Sequence, residues 1–434
     1  MNDFPFMTSY WFDSQIATSP SLSGAQFADV AVVGGGFAGL SAAHHLKSSE
    51  PGLSVALVEA KHIGFGASGR NAGWLLSLPP VHWLLEDLDD PRRLADIRWT
   101  SQLCRDNIAQ LGRWVADEAI DCAWTPSRHV LAARNRLEAA ALRWLMQRYE
   151  AIGLHCEFFE KEKMAQLVSY PAIAGMAYEF VSIQPYRLAR GLRQRCLDQD
   201  VRIYENPPIE TIRSTSRGVQ LTAADGATLT ARKVILATNA YTRSLTLDAE
   251  IPAASTQHTY MLATGPLEPD VLDRISQTRT PFGDPALSFY IGRIYENRLL
   301  FNGIDRPSRV TPEDDRHVAS FVKLHREMLR RFPFLESVPL AGAWGGAVQQ
   351  TPSDAPIVRR SKNDPNVILN IGYGGGSGVG MALLSGQLTT GLVSERGPMD
   401  DDAQRLRTLL ANSRFPRMGP VRALFGVLRK MAFG

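Results

Sequence analysis

A strand, a glycine-rich turn and a helix follow one another near the start of the chain, and this succession constrains the fold more than any other feature. Residues 29–33, DVAVV, form a β-branched run, and Gly34, Gly36 and Gly39 follow it in the pattern G-x-G-x-x-G. Residues 40–49 then have helical periodicity, and residues 54–59, SVALVE, form a second predicted strand. The pattern predicts a βαβ unit with the glycine turn at the carboxyl end of its first strand.

Each glycine of this turn has a physical role in dinucleotide binding. Gly34 permits the tight turn, Gly36 lets the backbone approach a pyrophosphate, and Gly39 lets the helix pack on the strand. Glu59 ends the second strand, 20 residues beyond Gly39, where a carboxylate accepts both ribose hydroxyls and repels a 2′-phosphate. The motif therefore predicts FAD or NAD rather than NADP. The alternative is a glycine-rich turn without a ligand.

Composition excludes several classes of protein. The 434 residues are 44% hydrophobic and 21% charged with a net charge of +3, which is typical of a globular protein and does not by itself indicate nucleic-acid binding. The 4 cysteines form no C-x-x-C pair, so we predict no metal site and a reducing compartment. Residues 1–13 lack a secretory signal, and no apolar run is long enough to span a membrane.

Further segments resemble those of the D-amino-acid oxidase family of FAD-dependent oxidoreductases, in its γ-glutamylputrescine oxidase-like and sarcosine oxidase-like subgroup. The similar segments are SYW at 9–11, GFGASGRNAGW at 64–74, VILATNAYT at 234–242, ENRLLFNG at 296–303 and LNIGYGGGSGVG at 369–380. The resemblance implies FAD rather than NAD. Relatives with covalent flavin carry a Cys near the Trp-Gly-Gly segment, whereas residues 344–348 contain none and residues 64–74 contain no His. We therefore expect non-covalent FAD.

The resemblance also implies which residues bind the cofactor. Those of the first βαβ unit face the pyrophosphate and the adenosine ribose, those of the 64–74 loop approach the flavin and its phosphates, and later segments reach the adenine and the pyrimidine side of the ring. In chain order the predicted cofactor residues are Gly34, Gly36, Gly39, Glu59, Ser68, Gly69, Arg70, Asn71, Ile209, Thr238, Asn239, Gly372, Gly374 and Gly378.

Candidate substrate residues lie beside the flavin segments. An aromatic box would attract an amine by cation–π interaction, and its candidates are Trp74, Tyr290, Trp344 and Tyr373; core packing is the alternative for each. A substrate carboxylate would require an arginine fork, for which Arg293 is the candidate and Arg70 the alternative, with a salt bridge or a structural role as the competing interpretation. His258 is a candidate on a predicted strand, and a buried structural histidine is the alternative.

The family architecture implies an α/β fold, α+β overall, in which a Rossmann-like FAD-binding domain is interleaved with an antiparallel-sheet substrate-binding domain. The FAD-binding domain is expected from residues 27–80, 181–250 and 341–417, and the substrate-binding domain from 81–180 and 251–340. Residues 418–434 have the pattern of an amphipathic basic helix. This helix would contact an anionic membrane surface, or it would cap the protein or a second copy.

These observations predict an enzyme that oxidises a C–N bond of an amine or amino acid by hydride transfer to the flavin, followed by imine hydrolysis. Oxygen or a quinone would accept the electrons. The alternatives are oxidation of a 2-hydroxy acid on the same fold and a flavin-bearing subunit of a complex. We expect a cytoplasmic location, with peripheral contact at the inner membrane face if the tail binds lipid, and no nucleic-acid partner.

Overall fold

The run at residues 29–33 lies in a strand at the centre of a mixed sheet whose inner strands are parallel. The structure is a computed structural model that describes residues 4–13, 18–85, 88–206, 208–245, 255–284, 290–351, 353–394 and 401–413. The predicted tail helix at 418–434 lies outside the described residues.

Helices and strands alternate in the first part of the chain, and strands dominate later. The strands are β1 (Ala25–Val33), β2 (Val55–Glu59), β3 (Trp74–Leu75), β4 (Thr125–Ala133), β5 (Cys156–Glu160), β6 (Ala174–Ser182), β7 (Arg202–Glu205), β8 (Ile209–Thr215), β9 (Gly218–Ala223), β10 (Thr228–Leu236), β11 (Ser255–Thr264), β12 (Phe282–Gly283), β13 (Ile291–Tyr295), β14 (Arg298–Pro307), β15 (Leu340–Gln350), β16 (Ile357–Arg360) and β17 (Val367–Ile371). The helices are α1 (Phe37–Ser49), α2 (Pro91–Asp117), α3 (Arg136–Ala151), α4 (Lys161–Leu167), α5 (Pro185–Asp198), α6 (Pro269–Ile275), α7 (Pro312–Asp315), α8 (Val318–Arg331), α9 (Gly378–Val393) and α10 (Asp401–Ala411).

The first sheet has the strand order β16-β17-β10-β1-β2-β7, and β8 and β9 extend from β10. β1 pairs in parallel with both β2 and β10, so Val33 lies beside Val58 on one side and Leu236 on the other. The carboxyl ends of these three strands therefore meet at one edge. In open parallel sheets this edge is where ligands bind.

The second sheet has the order β15-β11-β14-β13-β12-β4-β6-β3, with β5 beside β6. Its described pairs are antiparallel except that between β12 and β4. These two sheets confirm the predicted fold class.

Two segments that the sequence analysis expects in the FAD-binding domain contribute strands to the second sheet. β3 (Trp74–Leu75) pairs with β6, and β15 (Leu340–Gln350) pairs with β11. Both belong to the second sheet, although the sequence analysis placed residues 74–75 and 341–350 in the FAD-binding domain.

Helix α1 positions the glycine turn by packing deep in the first layer. Leu40, Ala42, Ala43 and Leu46 are fully buried, and α1 packs against α5 and α9. Burial of such apolar side chains is the main stabilising contribution to a fold of this kind. Among the described residues, none of the helices combines the length and apolar composition that a membrane span requires.

Candidate active site

A cavity of ≈ 1340 Å³ is lined by both sheets. Its wall includes the carboxyl ends of β1 and β2, the loop after β10, and side chains of β4, β11 and β14. The cavity therefore joins the glycine turn of the first sheet to the face of the second.

The glycine turn leaves no space for side chains. Gly34 has a φ of +110°, and a Cβ there would lie 2.6 Å from the carbonyl oxygen of Ala237. A Cβ on Gly39 would lie 1.9 Å from the carbonyl oxygen of Gly34, and one on Gly36 would lie 2.8 Å from Ser68 Oγ. The turn thus brings bare backbone to the cavity wall, as the sequence pattern predicts.

The amino end of α1 is open to an anion. Gly36 is the N-cap residue of α1 and has no side-chain cap, while the amide of Phe37 donates to Ser68 Oγ at 2.9 Å. The positive end of the helix dipole and its amides therefore face the cavity, which is a favourable place for phosphate.

Glu59 is held at the end of β2 by the backbone. Its carboxylate accepts hydrogen bonds from the amides of Gly35 at 2.8 Å and Lys61 at 3.0 Å. Burial raises the pKa of Glu59, and these amides offset part of that rise. The carboxylate lines the cavity in an orientation that suits the hydroxyls of a ribose.

The loop at 64–74 is held by its own polar groups. The Asn71 side chain donates to the carbonyls of Ala67 and Ser68 at 3.0 Å each and accepts from the amide of Gly73 at 2.8 Å. Ser68 and Asn71 line the cavity, and neither Gly69 nor Arg70 is among the described lining residues.

Arg70 and His258 belong to one buried network instead. Asp315 joins them, since it accepts from Arg70 Nη1 at 2.8 Å and lies 2.7 Å from His258 Nε2. His258 is fully buried and also bonds Ser308. The network connects the 64–74 loop to β11. Neither Arg70 nor His258 is among the described lining residues of the cavity.

Arg293 and Trp344 also lie behind the wall. Arg293 is buried, and its Nη1 donates to the carbonyls of Gly73 and Ile183 at 3.0 Å each. Its guanidinium also lies against the rings of Trp11 and Tyr295. Trp344 Nε1 donates to the carbonyl of Arg70 at 3.0 Å. Backbone carbonyls therefore occupy Nη1 of Arg293, and the residue is not among the described lining of the cavity.

The last glycine loop, residues 372–378, lines the cavity beside the end of β10. Asn239 Oδ1 accepts from the amides of Gly372 at 3.1 Å and Tyr373 at 3.2 Å. Of the later residues predicted to bind the cofactor, Ile209, Thr238, Asn239, Gly374 and Gly378 line the cavity, whereas Gly372, with a φ of +91°, forms the turn behind them.

The remaining wall is aromatic. Trp74, Tyr290 and Tyr373 line the cavity as predicted candidates, and His129, Tyr149 and Tyr178 join them. The rings of Trp74 and His129 have centroids 4.2 Å apart, and His129 Nδ1 lies 2.7 Å from the Tyr178 hydroxyl. Burial lowers the pKa of His129 to about 3, so its imidazole is neutral. Sequence analysis missed these three residues, because they meet only when β4 pairs with β6 and Tyr149 of α3 packs on Tyr178.

Carboxylates outnumber cations on the described wall. The lining contains Glu59, Asp284, Asp305 and Asp354, whereas Lys61 is its one Lys or Arg side chain. The acids come from four separate chain segments, which is why no single motif indicates them.

Comparison with known proteins identifies the family. The model of a family described as FAD dependent oxidoreductase matches residues 29–392. The chain belongs to this family. Gamma-glutamylputrescine oxidoreductase of Escherichia coli is 29% identical over 402 residues, covering 90% of this chain and 88% of the relative. The probable oxidoreductase OrdL of Haemophilus influenzae is 28% identical over 398 residues, covering 88% and 86%.

Solved structures support the same fold. Glycine oxidase from Geobacillus kaustophilus is similar with a TM-score of 0.68 and 20% identity, over 88% of this chain and 98% of that one. L-Amino acid deaminase from Proteus myxofaciens is similar with a TM-score of 0.65 and 15% identity, over 89% and 95%. These structures show the fold, and the family match over residues 29–392 confirms the predicted FAD-dependent oxidoreductase family.

The residues of this chain fit the family's cofactor, FAD. The bare glycine turn and uncapped helix suit its pyrophosphate, and Glu59 suits its ribose. The backbone of the last glycine loop lines the cavity at the amino end of α9. Amides and a helix dipole at this position would stabilise negative charge on reduced flavin.

Proposed function

We propose that this FAD-dependent oxidoreductase oxidises a C–N bond of an amine. Support comes from the charged side chains of the described cavity wall, which include carboxylates but no arginine. An amino acid or a hydroxy acid needs a cation for its carboxylate, and a bidentate arginine is the usual partner. The two arginines that sequence analysis suggested, Arg70 and Arg293, are both held by other groups. The name of the E. coli relative, a gamma-glutamylputrescine oxidoreductase, also specifies an amine.

The aromatic wall suits this chemistry. When bound, FAD accepts a hydride from the carbon next to nitrogen, and water hydrolyses the released imine to a carbonyl compound and an amine. Trp74, Tyr290 and Tyr373 provide ring surfaces for cation–π attraction and exclude water. The amine must lose its proton before hydride transfer, since the nitrogen lone pair expels the hydride, and no strongly basic residue is required for that.

We also propose that FAD binds without a covalent bond. All 4 cysteines are buried, and none lies on the cavity wall that the structure describes. Burial raises the pKa of Cys104 and Cys196 to about 12, so these thiols are poor nucleophiles. Acid precipitation should therefore release the yellow cofactor into the supernatant. Flavin that stays with the precipitated protein would contradict this assignment.

Anaerobic titration of the FAD-loaded protein tests the reaction class. The panel contains primary and secondary alkyl amines, α-amino acids and 2-hydroxy acids, and bleaching of the flavin absorbance is measured. We expect amines to bleach the flavin and the two acid classes to have no effect. Bleaching by an amino acid or a hydroxy acid alone would overturn the proposal. Readmission of oxygen, or addition of a quinone, then identifies the electron acceptor.

Trp74 provides a matched test of the aromatic wall. Trp74→Ala should leave FAD bound but raise the amine concentration for half-maximal reduction about tenfold, because a desolvated cation–π contact contributes up to about 2 kcal/mol. Trp99→Ala removes an indole that stacks on Arg405 outside the cavity and serves as the control. Equal titration curves for Trp74→Ala and Trp99→Ala would remove Trp74 from the substrate site.

A further inference from the structure

Asp305 is a carboxylate on the face that the second sheet presents to the cavity. It lies in β14 (Arg298–Pro307), beside Thr259 of β11, and both residues line the cavity. The side chain is accessible to solvent, yet burial within the molecule raises its pKa. Because Asp305 lines the cavity, a ligand in the cavity can reach its carboxylate.

The other carboxylates of the wall already have donors that stabilise their charge. Glu59 accepts from two backbone amides. Asp284 forms a buried ion pair with Arg331. Asp354 accepts from Gln350 Nε2 at 2.6 Å and pairs with His82.

Asp305 differs from all three. Its partner is the hydroxyl of Thr259, and within the described ranges no ion pair involves it. No cation accompanies Asp305 among the described residues, and a ligand cation that enters the cavity would pair with its charge. The position therefore suits an ammonium group.

The chemistry of amine oxidation decides which ammonium this is. A carboxylate stabilises the protonated form of a neighbouring amine, whereas the nitrogen that is oxidised must be neutral when the hydride leaves. An ion pair at the reacting nitrogen would slow the reaction. Asp305 is therefore suited to a nitrogen that does not react.

We propose that Asp305 binds a second, non-reacting ammonium group of the substrate, so that the preferred substrates are diamines or longer polyamines. This inference rests on the proposed amine oxidation and specifies its substrate class. The aromatic wall around Trp74 would receive the reacting end, and Asp305 would fix the distance between the two nitrogens. Hydrogen bonds to charged groups contribute about 1.5–3 kcal/mol, so loss of this contact should weaken binding about tenfold or more.

The test compares matched amines on the FAD-loaded enzyme. Anaerobic stopped-flow reduction is measured with straight-chain monoamines and with diamines of the same chain length, for wild type and Asp305→Asn. Asparagine keeps the size of the side chain and removes its charge. We expect the apparent Kd of the diamine to rise about tenfold or more in Asp305→Asn with an unchanged limiting rate, and the monoamine to change less than about twofold.

Two further variants control the comparison. Asp305→Glu keeps the charge and should retain most of the preference for diamines. Asp117→Asn removes an exposed carboxylate at the end of α2 and should change neither compound. FAD content and thermal midpoint are measured for each variant.

Each outcome has a definite meaning. Equal apparent Kd values for monoamine and diamine in wild type would overturn the inference while the proposed amine oxidation stands. Loss of FAD in Asp305→Asn would assign the carboxylate to the cofactor site and also overturn it. If neither amine reduces wild-type flavin, the proposed function fails, and this inference fails with it.

Discussion

The two ends of the cavity are built in different ways. The end that we assign to the dinucleotide presents bare backbone, with Gly34, Gly36 and Gly39 in one short segment and Glu59 at the end of the next strand. The end that we assign to the substrate presents side chains from β3, β4, β6 and β14, which are far apart in the chain. Backbone recognition is therefore encoded locally, and side-chain recognition depends on the assembled second sheet.

The largest expected effect breaks the local end. Gly36→Val should abolish FAD binding, because the added Cβ would lie 2.8 Å from Ser68 Oγ and the valine methyl groups would occupy the approach of the pyrophosphate. The measurement is the flavin absorbance of the purified protein after incubation with excess FAD. We expect a colourless protein.

The control for this variant is another glycine. A Cβ on Gly52 would meet nothing within 4 Å, so Gly52→Val should bind FAD as wild type does. A fully loaded yellow Gly36→Val protein would show that the turn does not approach the cofactor.

The contrast between the two ends also explains what sequence could predict. Ser68, Asn71, Thr238 and Asn239 belong to contiguous motifs, and all four line the cavity as expected. Their positions follow from a turn or loop that a few neighbouring residues determine. Pairing of β3 with β6 and of β15 with β11 does not follow from any local pattern, so the sequence could not assign these strands to the second sheet.

Arg293 shows why a residue type alone does not predict a role. Arg293 lies in the middle of β13 (Ile291–Tyr295), where successive side chains point to opposite faces of the sheet. In the sequence it stands just before the family-like segment at 296–303. Whether its side chain faces the cavity or the core depends on what covers that face of the sheet. Residues 72–73 cover the face on which Arg293 lies, and their carbonyls accept from its Nη1. Asp305 was missed because no motif marks an acid in the last part of a strand such as β14.

A second prediction separates the stability role of Arg293 from catalysis. Arg293→Met should lower the free energy of unfolding by about 1–3 kcal/mol, because the Ile183 carbonyl loses its Arg293 donor while the Gly73 carbonyl keeps only the amide of Ile183. Urea unfolding of the FAD-loaded protein measures this change. Anaerobic amine titration of the folded variant should give an apparent Kd within about twofold of wild type.

Arg187→Met is the control for that variant. Arg187 forms an exposed ion pair with Asp121, and such pairs contribute about 0–1 kcal/mol. If Arg293→Met unfolds like Arg187→Met and instead loses its response to amines, Arg293 belongs to the substrate site after all.

The smallest expected effect concerns pH and the neutral imidazole of the substrate end. Burial lowers the pKa of His129 to about 3, whereas an unfolded histidine titrates near pH ~6.5. Between these values the unfolded chain binds a proton that the folded chain does not, so this histidine makes stability fall as pH is lowered from about 6.5. Its contribution to the slope approaches about 1.4 kcal/mol per pH unit well below pH ~6.5.

His129→Phe should remove that part of the slope of unfolding free energy against pH, measured by urea unfolding from pH ~6.5 to ~5. Tyr178→Phe keeps the imidazole buried and removes the hydroxyl at Nδ1, so it should keep the wild-type slope. Equal slopes for wild type and His129→Phe would mean that the folded protein protonates this imidazole, and the neutral aromatic wall assigned to the substrate end would then have to carry a charge.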